Sequence, residues 1–103
     1  MIASMENTAP VHFDPATSRI ILSVPHGHAF IDVVADGGDW ILPHAEVSAD
    51  LRGSGAAKIL ALGGFALVEQ MGRRARLTCP FLVKMASRDA HWAAYFGVAP
   101  AKD

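Results

Sequence analysis

The hydrophobic pattern of this chain changes period once, near Val47, and that change limits what it can fold into. Three runs with strand character precede it. Arg19 to Val24 is rich in β-branched residues and is cut off by Pro25. In Ala29 to Ala35, Phe30, Asp32 and Val34 alternate with Ile31, Val33 and Ala35, and a third run spans Trp40 to Val47. Gly27 and Asp36-Gly37-Gly38-Asp39 supply the turns, so these runs predict a three-stranded antiparallel meander. Beyond Val47, Ile59, Leu62 and Ala66 recur at helical spacing, flanked by Leu60, Leu67 and Met71. They predict one helix from Ser54 to Met71 with an apolar stripe wide enough to lie on the sheet.

Gly63-Gly64 inside that helix costs about 1 kcal/mol per glycine relative to alanine, which suggests that another backbone packs closely there. Gly72 stands where a C-cap glycine belongs. Ala75 to Thr78 reads as a short strand beside the third, parallel to it because the connection from Val47 is long enough for a crossover. Two short helices, Pro80 to Ser87 and Asp89 to Phe96, end at Gly97; Trp92 and Tyr95, three apart, pin the second of them to the sheet. The fold class is therefore α+β.

With 103 residues the chain builds one core, a single domain over 1–103 in which residues 1–12 read as a loose N-terminus. A hydrophobic share of 51% against 18% charged places it among globular proteins. The sequence has no apolar run of the roughly 18 residues that cross a bilayer, nor a signal-peptide pattern, so the expected location is cytoplasmic and no membrane partner is expected. Cys79 is the only cysteine, which excludes an intramolecular disulfide and a paired-thiolate metal site. His26-Gly27-His28 has no third ligand nearby and reads as a turn; no metal is assigned.

The net charge of −1 hides an asymmetry. From Glu6 to Asp50 the only basic side chain is Arg19, whereas from Arg52 to Arg88 the only acidic one is Glu69. A long nucleic acid would meet the acidic half, so the basic half favours a compact polyanion.

Between the last strand of the meander and the helix lies Arg52-Gly53-Ser54-Gly55-Ala56-Ala57-Lys58, in which Gly53 to Ala57 are all small. Glycines let backbone N–H groups turn toward a phosphate, and the first helical turn adds unpaired N–H groups and about half a positive charge. A plain strand-to-helix turn capped by Ser54 is the alternative, and neither a dinucleotide fingerprint nor a nucleotide P-loop is present.

This loop resembles the acetyl-coenzyme A signature of GNAT acyltransferases: Arg or Gln, two residues, Gly, one residue, then Gly or Ala. His44-Ala45-Glu46-Val47 and Leu77-Thr78-Cys79-Pro80 extend the resemblance to a small branch of predicted N-acetyltransferases, over residues 19–97. That branch usually reads His-Thr-Glu-Val-Pro and Arg-Gly-x-Gly-Ile-Ala, so Ala45, Ser48 and Ala56 depart from it. The resemblance implies a shortened GNAT core with coenzyme A between the third strand and the strand after the helix. Its pyrophosphate would lie on Gly53, Ser54, Gly55, Ala56 and Ala57, with Arg52, Lys58 and the backbone of Val47 adding contacts. The implied activity is acetyl transfer from acetyl-coenzyme A to a small amine or an exposed lysine.

Such transfer needs a base, donors to the thioester carbonyl, and often an acid for the departing thiolate. His44 and Glu46, two apart on a strand, share a face and are candidates for the base; polar residues on a wet sheet face are the plainer reading. Cys79 precedes Pro80 and so occupies an N-cap, where a helix dipole favours thiolate. It can be an acid, an acyl carrier or a small packing residue. Lys58, Arg73, Arg74 and Arg76 are candidates for the 3′-phosphate of the coenzyme, although Arg73 and Arg74 also suit the C-terminal dipole of the helix. Two other functions remain open: a coenzyme A binding module without turnover, and an interaction domain on the same fold. The acceptor, the acyl chain length and the oligomeric state are not written in these residues.

Overall fold

Residues that alternate between apolar and polar build a five-stranded sheet, and one long apolar helix covers its inner face. The computed structural model describes residues 11–101. The strands are β1 (Val11–Asp14), β2 (Arg19–Leu22), β3 (Ala29–Asp36), β4 (Asp39–Val47) and β5 (Ala75–Leu77), in the order β1-β2-β3-β4-β5. β1 to β4 are antiparallel neighbours, and β5 lies parallel to β4, as the crossover argument expects. Three helices follow β4: α1 (Ala56–Gln70), α2 (Pro80–Ser87) and α3 (Ala90–Phe96). Among the described residues no helix is long and apolar enough to cross a membrane.

The meander has four strands instead of the expected three, because β1 occupies part of the segment read as a loose terminus. Four residues with only Val11 and Phe13 apolar carry too little pattern to announce a strand. Pairing supplies the missing signal: Val11 faces Leu22, Phe13 faces Ile20, and the Phe13 ring lies 4.8 Å from Trp40. The remainder of the expected loose segment, residues 1–10, lies outside the described residues.

β4 departs from regular alternation. Asp32 pairs with His44 and Val34 with Ile41, so two steps along β3 face three along β4. The extra residue is a bulge, and Pro43, which has no N–H to give to a ladder, lies within it. Before the bulge Trp40 and Leu42 point into the core; after it Ala45 and Val47 do, while His44 and Glu46 face solvent.

Helix α1 buries Ala56, Leu60, Ala61, Gly64, Phe65 and Val68. This corrects the expected stripe: Ile59 is 49% exposed, Met71 42% exposed and Ala66 exposed, while Leu62 and Leu67 are half-buried. The helix is apolar around most of its circumference, so periodicity alone does not set its rotation. Small residues do, because Ala61 and Gly64 let the helix come close. A Cβ on Gly64 would stand 2.8 Å from Cδ1 of Ile31, so the close approach is to sheet side chains and not to another backbone. Leu60, Phe65 and Val68 are fully buried there, each worth about 1.5–3 kcal/mol. The helix closes in a Schellman arrangement at Gly72, with Arg73 N–H donating to the Val68 carbonyl at 3.1 Å.

Pro80 opens α2 and Asp89 caps α3, whose end is closed by Gly97. Trp92 and Tyr95 hold α3 differently from expectation. The Trp92 ring packs 5.7 Å from Phe65 of α1, and the Tyr95 hydroxyl donates to the Arg73 carbonyl at 2.6 Å, so both anchor to α1 and the loop after it.

Replacing Gly64 by valine pushes a branched side chain onto Ile31, and Gly64→Val is expected to cost about 1–3 kcal/mol in urea unfolding. Combined with Ile31→Ala the cost should be clearly less than the two single costs added, since both act on the same space. Additive costs would show that this contact does not set the helix position.

Candidate functional site

The end of β4 becomes a loop through one backbone hydrogen bond and a short helical turn. Ser48 N–H donates to the His28 carbonyl at 2.9 Å, and a 3₁₀ turn over Ala49–Leu51 buries Leu51. Gly53 and Gly55 then take φ of +80° and +85°, conformations that only glycine adopts readily. A Cβ on either would meet nothing within 4 Å, so the backbone demands these glycines and the space above them is open.

Helix α1 starts at Ala56 with Gly55 as its N-cap, two residues later than expected. Ser54, expected as the cap, instead ties the turn together: its hydroxyl donates to the Leu51 carbonyl and accepts from Ala56 N–H at 3.2 Å. The N–H groups of Ala57 and Lys58 lie in the first turn and have no carbonyl partner within the helix.

This loop forms one wall of a cleft of about 840 Å³. Arg52, Gly53, Gly55, Ala56, Ala57 and Lys58 line it, with Val47 at the strand end. Leu62 of α1, together with Phe81, Met85, Arg88 and Asp89, completes the lining. Of the residues from Arg52 to Lys58, Ser54 alone is not part of the lining.

Before the chain reaches the cleft, β4 and β5 part company. β5 pairs with β4 from Trp40 to Leu42 only. The Leu42 carbonyl then accepts from both Thr78 N–H (3.2 Å) and Cys79 N–H (3.4 Å), after which the chain turns into α2. Beyond Leu42, no described strand pairs with β4 on the β5 side.

The three groups named for chemistry do not converge. Cys79 is 7% exposed, caps α2 by position with no side-chain hydrogen bond to it, and packs in the core. His44 and Glu46 sit on the solvent face of β4, their side chains 3.4 Å apart. A third member, which the sequence places in the His26-Gly27-His28 turn, joins them: His28 Nε2 lies 2.7 Å from Glu46 Oε2. Only the register, which pairs Phe30 with Glu46, reveals that neighbour. The hydrogen bond from His28, then that from His44, holds the Glu46 carboxyl below its ordinary range. Asp50 is held low in the same way by Ser48 and then by His26, whose ring lies 2.8 Å away.

The other arginines proposed for the coenzyme lie elsewhere. Arg73 sits over the Trp40 ring and donates to the Gly38 carbonyl at 3.3 Å, and Arg76 is 3.7 Å from Asp36. Arg74 lines a separate hollow with Trp40 and Tyr95. Among the described residues no group of three or more His, Cys, Asp or Glu is placed to hold a metal ion.

A profile of the GCN5-related N-acetyl-transferase family matches residues 19–95, from the start of β2 through most of α3. The chain belongs to this family. The α+β arrangement, an antiparallel sheet with a parallel β4–β5 pair, agrees with a GNAT-like fold, and membership assigns the chain to acyl transfer as a class of chemistry. GNAT proteins generally use acetyl-coenzyme A, and the open loop and cleft fit a polyanionic, elongated donor. A comparison with curated proteins finds no match.

Glu46 in this GNAT domain is expected to titrate below 4.5 in an NMR pH series. Because its folded-state value lies below the ordinary one, its interaction stabilises the fold above pH 4.5 and is lost as pH falls through the folded-state value. His28→Ala should move the midpoint back toward 4.5; an unchanged midpoint would remove His28 as the main cause.

Proposed function

We propose that the chain is a single-domain, cytoplasmic, acetyl-coenzyme A-dependent N-acetyltransferase of the small GNAT branch, acting on a small amine or an exposed lysine. The observation that carries this reading is the coincidence of the family match with a cleft walled by Arg52 to Lys58.

In this reading the pyrophosphate rests against the first turn of α1, where the Ala57 and Lys58 amides and the helix dipole favour negative charge. Arg52 and Lys58 neutralise it from the side. The pantetheine arm runs past Val47 to the opening beyond Leu42, and the amine arrives from the opposite, solvent face of β4. There Glu46, kept ionised by His28, attracts the ammonium, and His44 takes its proton. The amine nitrogen bonds to the acetyl carbon, the carbon–sulfur bond breaks, and the departing thiolate takes a proton from a group that regains one from the newly bonded nitrogen. Cys79 supplies that proton: its side chain makes no cap hydrogen bond, and Phe81, two residues on, lines the cleft.

Calorimetric titration with acetyl-coenzyme A tests the donor site. Ala57→Glu keeps a helix-compatible residue but places a carboxylate at the phosphate position, and is expected to weaken binding by about 100-fold or more, the scale of a like charge set against a phosphate contact. Equal affinity in both proteins, or no binding by the native protein at millimolar ligand, would sink the proposal. Given binding, an amine screen with Cys79→Ala and His44→Ala assigns the proton transfers.

A further inference from the structure

Of the four basic residues whose sequence positions suit a 3′-phosphate, Lys58, Arg73, Arg74 and Arg76, the fold carries the last three away from the cleft. It brings in Arg88 instead. This residue terminates α2, lines the same cleft as Lys58 and is exposed. Among the described residues the Arg88 guanidinium has no hydrogen bond or ion pair, in contrast to Arg19, Arg73 and Arg76, which have partners. The neighbouring carboxylate of Asp89 does not cancel it, because that group is turned into α3, accepting from His91 N–H at 3.0 Å and Trp92 N–H at 3.2 Å.

Position along α2 decides which end of a long donor Arg88 can meet. The helix begins at Cys79, next to the place where β5 leaves β4. Its eight residues rise about 12 Å in all, so Arg88 stands at the far end, away from the acyl opening. Between the two ends Phe81 and Met85 offer the cleft an apolar side. An arginine at that distance, in the same cleft as the lysine of the first helical turn, suits a phosphate monoester at the nucleotide end of the donor.

Resting on the proposed donor site, we infer that Arg88, together with Lys58, forms a subsite for the 3′-phosphate of coenzyme A and so gives the domain its preference for coenzyme A over the dephosphorylated form.

The test compares the Kd of coenzyme A with that of 3′-dephospho-coenzyme A by calorimetry at low and at moderate salt. The native protein should favour coenzyme A by about tenfold or more at low salt, less at higher salt. Arg88→Met should reduce that ratio to about twofold or less while leaving the dephospho-coenzyme A affinity in place, and Arg88→Lys should retain part of it. Arg74→Met, a charge removal outside the cleft, should leave the ratio unchanged. Thermal melts of each variant check that the fold is intact. A ratio unaltered by Arg88→Met, or equal weakening of both ligands, overturns the subsite while the donor-site reading stands. No binding of either nucleotide overturns both.

Discussion

One residue more in β4 than in β3, accommodated at Pro43, reverses the facing of the strand, and the site depends on that reversal. Without it the alternation that buries Trp40 and Leu42 would also bury His44 and Glu46, leaving two polar side chains against α1. With it, Val47 turns toward the cleft and His44 and Glu46 turn to solvent. The same stretch is where β5 stops pairing, since Thr78 and Cys79 both direct their N–H groups at the single carbonyl of Leu42. One local irregularity therefore separates an inner side, with the loop and cleft, from an outer side that carries Glu46 between two histidines.

The cleft needs a second constraint, the close seating of α1. Gly64 stands against Ile31, and Leu60, Phe65 and Val68 are fully buried, so the helix is held along its length and its first turn has a fixed place. The glycines at 53 and 55 then bring the chain into that turn by a path that side-chain-bearing residues would resist. A firm helix and an open loop are complementary: a donor that binds by backbone N–H groups needs both fixed direction and clear space.

Charge is distributed to match. The acidic side chains of the first half are largely spent on local partners: Asp32 on Arg19, Glu46 on His28 and His44, and Asp50 on Ser48 and His26. Arg52, Lys58 and Arg88 line the cleft and have no such partner among the described residues. The asymmetry visible along the chain thus becomes an electropositive cleft on a nearly neutral molecule.

By itself the sequence determined the fold class, three of the four strand pairings, the helix ends at Gly72 and Gly97, and the loop that joins β4 to α1. These follow from hydrophobic period, turn residues and glycine positions, which act over a few neighbouring residues. Tertiary structure alone decided the first strand, the rotation of α1, the meeting of His28 with Glu46, and the entry of Arg88 into the cleft in place of Arg73, Arg74 and Arg76. Each depends on contacts between residues far apart in the chain. A four-residue edge strand has too little local pattern, a helix apolar on most sides carries no rotational mark, and a basic side chain declares its charge but not its address until the elements are packed.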